Sequence, residues 1–292
     1  MAETIINSSL IKAILNHGNF REDQCMKKVK ALFFGKTKSI PSPAQSYGLY
    51  FETKAIGGSA RNQKTENLPL TSKGKITAIQ ERIDQQIDIF RLQLLENYIN
   101  VVSGINTQVQ VFKRINQDLI VSATYDIFPS PILYKNQILP VSAIDLKITK
   151  DIDSDWGEFG WGNFENMDHT QLVLQNFIVR DFDEDLNARL NPKLIKMNLI
   201  RPIMKEYLDN LPVFYWVFEY GTKLRNQLYR VNVDNLMIME LKETIRKVDV
   251  IIWEQNQRIG WNANPSYDNC QFCPLNFMNG GTCREATIIK EI

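Results

Sequence analysis

Two sets of residues in this chain have the types and spacing to do chemistry. The first is Asp126 in "ATYDIF" and the pair Asp145 and Lys147 in "VSAIDLKIT". In an extended strand, side chains at i and i+2 share a face, so Asp145 and Lys147 point together and Leu146 points into the opposite layer. If the strand bearing Asp126 is an antiparallel neighbour, its carboxylate can reach the same place. Two carboxylates beside an ammonium suit the hydrolysis of a phosphodiester. The carboxylates bind a hard cation such as Mg²⁺ or Mn²⁺, and the lysine steadies water or developing charge. Charged residues interrupting an apolar strand are costly unless paired or metal-bound. The plainer alternative is an edge strand with both side chains solvated.

The second set is cysteine. Cys270, Cys273 and Cys283 lie in "CQFCPLNFMNGGTC", and the fourth, Cys25, stands far upstream. Four thiolates suit Zn²⁺ or an iron–sulfur cluster, and spacing alone leaves both open. Ligands from opposite ends of a chain close a very long loop, so a bound metal would clasp the terminal segments. In a reducing compartment clustered cysteines favour metal binding over disulfides. The Cys-x-x-Cys follows a long helical pattern instead of opening a helix after a strand, which argues against a thioredoxin-like redox role.

The elements that must position these groups are legible in outline. Residues 1–35 read as helix capped at Ser8 or Ser9, with Leu10, Ile11, Ile14 and Leu15 as its stripe. Prolines and glycines break 36–74, leaving a short helix around "SYGLYFETKAIG". Residues 75–103 form an amphipathic helix. "NTQVQVFKRI", "NQDLIVSATYDIFPS" and "NQILPVSAIDLKITK" read as three strands, with a turn near Lys135-Asn136. An acidic loop over 151–168 precedes a helix over 170–182. "LPVFYWVFEYG" and "QLYRVNVD" read as a second strand pair, the aromatic one a core strand. A helix over 235–256 leads to the cysteine tail. With no repeat and no low-complexity linker, the order implies one α/β domain over 1–292: an N-terminal helical segment (1–74), a core (75–260) and a Cys-rich tail (261–292).

Bulk properties exclude little. The chain has 292 residues, 44% hydrophobic and 23% charged, with net charge +1. That is ordinary for a soluble globular protein and argues against non-specific coating of nucleic acid. No apolar run reaches a membrane span, and the N-terminus lacks signal-peptide features, so the cytoplasm, or a host cytoplasm, is the expected location. No phosphate-binding G-x-x-x-x-G-K-[ST] loop is present, so no ATPase motor is expected. A basic run, Arg21, Lys27, Lys28, Lys30, Lys36 and Lys38, is either a solvated face or a guide for a DNA backbone. Trp156 and Trp161 could stack on bases or pack a loop.

The strand pair "ATYDIF … VSAIDLKIT" resembles motifs II and III of the PD-(D/E)XK nuclease superfamily, in particular its RecB-like exonuclease branch. "Gly48-Leu-Tyr-Phe-Glu52" is similar to that branch's Gly-x-x-x-His/Glu element. Gln171 matches the first residue of its Gln-x-x-x-Tyr motif, although Gln175 replaces the tyrosine; His169 lies just ahead. The one-plus-three cysteine partition, with Cys273-Pro274, resembles the subset carrying a [4Fe–4S] cluster, as in AddB-type helicase-nucleases and CRISPR-associated adaptation exonucleases. The last cysteine gap is longer here than in that subset. The resemblance implies a restriction-endonuclease-like α/β core and metal-dependent DNA hydrolysis, exonucleolytic in kind. It implies metal ligation by Glu52, Asp126 and Asp145, Lys147 as catalytic lysine, Gln171 in support, and a cluster on Cys25, Cys270, Cys273 and Cys283. Single-stranded DNA or duplex ends would be the substrate, with a helicase, recombination or replication partner. The rival readings are an inactive nucleic-acid-binding protein on the same fold and a zinc-stabilised structural protein.

Overall fold

A computed structural model describes residues 3–16, 19–20, 24–35, 37–38, 40–58, 67–160, 162–163, 167–192, 194, 206–257, 261–264, 270, 273–276, 281 and 283. The chain divides into two compact units, one of Met1–Ile5 with Ala44–Ile238 and one of Ile6–Pro43 with Met239–Ile292.

The first 35 residues are not one helix. They comprise β1 (Thr4–Asn7), α1 (Ser8–Ile14), the two-residue strands β2 (Leu15–Asn16) and β3 (Asn19–Phe20), and α2 (Met26–Phe33). The cap of α1 is Asn7, whose carboxamide oxygen accepts from Leu10 N at 2.8 Å, and neither serine takes that role. Asn is at least as good a cap as Ser, because its short side chain reaches the free N–H groups of the first turn.

The larger unit continues with α3 (Pro43–Ile56) and α4 (Ala78–Glu96), then β4 (Thr107–Arg114), β5 (Leu119–Tyr134) and β6 (Gln137–Thr149). The short α5 (Ile152–Asp155), α6 (Thr170–Val179) and α7 (Glu184–Leu190) form the crossover to β7 (Val213–Glu219), which β8 (Asn226–Val231) follows. The last helix, α8, runs from Asn235 to Gln257. The fold is mixed α/β: a six-stranded sheet in the order β1-β5-β6-β7-β8, with β4 also on β5, and helices flanking it. β6 and β7 pair in parallel, in register from Ala143–Val213 to Thr149–Glu219. A parallel pair needs a long connection, and α5 to α7 supply it. α6 is shorter than its sequence pattern suggests; Arg180 is already extended and Asp181 has φ +51°.

Alternation along the strands sorts the two sheet faces. Ile144, Leu146, Phe214, Trp216 and Phe218 share one apolar layer with Tyr50 and Phe51 of α3 and Ile83, Ile87 and Phe90 of α4. By the period of two, Asp145, Lys147 and Tyr215 lie on the other face. β7 is buried along its whole length, as a core strand should be. The outer strand β4 is covered by α7. Asn187 Oδ1 accepts from Phe112 N at 2.9 Å and its Nδ2 donates to Phe112 O at 2.8 Å. One carboxamide thus satisfies a backbone edge that would otherwise stay open.

Candidate active site

Asp126, Asp145, Lys147 and Gln171 come together on the sheet face opposite α3 and α4. β5 and β6 are antiparallel, with Ile127 opposite Ile144 and irregular register beyond it. This brings Asp126 Oδ2 to the backbone N–H of Leu146, 2.7 Å away, so the turn-linked strands converge as the sequence suggests. Asp145 is 2% exposed and Asp126 6%. Asp145 Oδ2 accepts from Lys147 Nζ, and Asp145 Oδ1 accepts from Gln171 Nε2 of α6. Lys147 Nζ lies 5.2 Å from the Tyr215 ring centre, and Trp156 packs edge-on against that ring with centroids 5.4 Å apart. Trp156 also stacks on Tyr229 at 5.2 Å and is buried, so it packs a loop and is not a free platform for bases. Trp161, Arg21 and Lys36 lie outside the described residues.

The electrostatics of the site are uneven. Burial, and then repulsion by Asp145, push Asp126 up to about 7, against the pull of Lys147 and two hydrogen bonds. For Lys147, burial alone would lower the ammonium's pKa. The negative charge of Asp145, with Tyr215 and Asp126, outweighs burial and raises it. Burial also raises the Tyr215 phenol. Two buried carboxylates share one lysine, which leaves negative charge to be neutralised by a proton on Asp126 or by a cation. The donor set therefore fits a hard divalent metal.

Glu52 lies on α3. Its helix packs on the other face of the sheet, through Tyr50 and Phe51. Among the described residues no group of three or more His, Cys, Asp or Glu side chains is arranged to hold a metal ion. Gln175 stands where the related motif has tyrosine. Its Nε2 donates to Thr124 O at 2.9 Å, and its own carbonyl accepts from Tyr125 Oη at 2.6 Å. It ties α6 to β5 one residue from Asp126, so it anchors the helix that carries Gln171. His169 occupies the N-cap position of α6 without a side-chain capping bond.

One contact was not legible in sequence. Gln108 Nε2 of β4 donates to Asp126 Oδ1 at 2.8 Å. In "NTQVQVFKRI" the residue looks like any polar position of an alternating strand. Nothing local marks its contact 18 residues away.

The cysteines belong to the smaller unit, and none is in a disulfide. Cys25 is buried at the N-cap of α2. Two residues on, Lys27 N donates to Asn262 O at 3.0 Å, stitching α2 to the C-terminal segment. Lys30 lies 5.7 Å from the ring of Trp261, which also packs on Phe34. The long gap to Cys283 does not carry that residue away. Asn276 bridges to Cys283, Cys283 N donates to Leu275 O at 2.6 Å, and Gly281 N donates to Asn276 O at 2.9 Å. Residues 277–280 of the gap lie outside the described residues. A Cβ on Gly281 would come within 2.4 Å of the Leu275 and Pro274 carbonyl oxygens, so only glycine allows that approach. Burial raises the Cys273 thiol and the neighbouring Cys25 adds to it, against N–H donors of Leu275 and Asn276 and the charge of Lys28. Thiolates suit a thiophilic metal, but among the described residues the four are not grouped as one metal site.

No helix among the described residues is long and apolar enough to cross a membrane. No protein-family profile matches the chain, and no curated protein matches it in sequence. Among solved structures, the chain is similar to that of a protein described as a "putative exonuclease" from Eubacterium rectale. The TM-score is 0.55 at 15% identity, over 94% of this chain and 87% of that one. At that identity the likeness is one of fold: a mixed α/β core with helices flanking a six-stranded sheet.

Proposed function

We propose that this protein is a metal-dependent nuclease that hydrolyses DNA phosphodiesters, with exonuclease as the kind of activity. The observation that carries this reading is the convergence of buried Asp126 and Asp145 with Lys147 on adjacent strands of a nuclease-like fold. Mg²⁺ or Mn²⁺ held by the two carboxylates would supply Lewis-acid polarisation of the phosphate and a more acidic water. The chain's own residues divide the remaining work. Lys147 Nζ, kept protonated by Asp145, offers N–H donors to charge growing on the phosphate oxygens. Its raised pKa suits it to that role and not to that of a general base. Gln171 fixes Asp145 Oδ1, and the Leu146 N–H fixes Asp126 Oδ2, so neither carboxylate must reorganise during the reaction. The cysteine set is read as a structural centre, [4Fe–4S] or Zn²⁺, fastening α2 to the C-terminal segment.

The test is digestion of end-labelled single-stranded and duplex DNA with Mn²⁺, with EDTA as control. Asp145→Ala and Lys147→Ala should each lose activity by a factor of about 100 or more while keeping the wild-type circular dichroism. Full activity in both variants would overturn the reading.

A further inference from the structure

Gln108 combines three features that ordinary strand packing does not require. Its φ of +52° is left-handed, a region that a glutamine inside a strand rarely enters. The strand does not slip around it, since Thr107 stays opposite Ile127 and Val109 opposite Tyr125. The turned residue therefore sits level with Asp126. Its Nε2 donates to Asp126 Oδ1 at 2.8 Å, so its amide oxygen is turned away from that carboxylate oxygen. The other end, Oε1, is sealed from solvent and accepts no hydrogen bond among the described residues. Strain and an unmet buried acceptor in one residue bonded to Asp126 mark a functional position.

We propose that Gln108 Oε1 is an oxygen ligand of the divalent cation; this rests on the nuclease reading above and deepens its metal site. Hard cations accept amide oxygens alongside carboxylates. A cavity of about 190 Å³ beside Gln108 is lined by Thr107, Gln110 and Asn191 as well.

The test is Mn²⁺ titration of the apo protein followed by electron paramagnetic resonance of the free ion. Gln108→Ala, which keeps the strand but removes the oxygen, should weaken binding about ten-fold or more. Gln108→Glu, which restores an oxygen ligand while losing the N–H to Asp126, should bind more tightly than Gln108→Ala. Wild-type affinity in Gln108→Ala would overturn the proposal. Equal weakening in both variants would also overturn it, reducing Gln108 to a brace for Asp126. If the wild-type protein takes up no Mn²⁺, the metal-dependent reading falls along with it. That result differs from a variant-specific failure.

Discussion

Neutralising Asp126 should stabilise the metal-free protein while destroying its activity. In Asp126→Asn, the amide can still accept from Leu146 N–H. Rotating the Gln108 amide would let its oxygen take a hydrogen from the new carboxamide, so both existing bonds have replacements. What disappears is a buried charge facing Asp145. An unfolded aspartate titrates at 3.8, whereas Asp126 in the fold titrates at about 7. The folded state therefore prefers the protonated form. Wild-type stability falls as pH rises from about 4 to about 7 and is level above that. The full span corresponds to roughly 4 kcal/mol at about 1.36 kcal/mol per pH unit. Relaxation around the charge makes about 1–3 kcal/mol the expected gain at pH 8, closing towards zero near pH 4. Urea unfolding in EDTA at the two pH values, with unchanged slope, measures it. Saturating Mn²⁺ should shrink the gap at pH 8 by stabilising only the wild type. A gain of the same size at both pH values, or none at pH 8, would refute the account of a strained carboxylate pair.

Two further outcomes follow from other parts of the molecule. Cys25→Ser should abolish any visible iron–sulfur absorbance, or lower bound zinc below one equivalent, in anaerobically purified protein; unchanged metal content would remove Cys25 from the ligand set. Asn187→Ala leaves the Phe112 N–H and C=O unmet in a buried setting, so it should cost about 2–3 kcal/mol in chemical denaturation. A loss below about 0.5 kcal/mol would mean that water replaces the carboxamide.

Much of the core was readable because its signals are local. The alternation of "VSAIDLKIT" places Asp145 and Lys147 on one face, and the turn at Lys135-Asn136, both with positive φ, brings β5 back beside β6. The residues that brace the site and its sheet act at a distance. Gln108 and Asn187 each serve a backbone or carboxylate far along the chain, and a lone polar residue in a strand or helix does not announce such a partner. The N-terminal segment misled for another reason. Leu10, Ile11 and Ile14 make a real helical stripe, but short helices and strand fragments share the same apolar spacing over so few residues. Glu52 fits its motif by the spacing to Gly48, and the packing of Tyr50 and Phe51 sets its helix against the layer of Ile144 and Leu146.

The direct bond from Gly281 to Asn276 has a consequence for how such sites vary. Because the chain is pinched shut on both sides of residues 277–280, the length between those pinch points is free to change without shifting Cys273 or Cys283. The number of residues in that interval can therefore change while Cys273 and Cys283 keep their places. A search pattern written on a fixed cysteine gap would pass over this chain. One written on a glycine that touches the turn after Cys-Pro would find it.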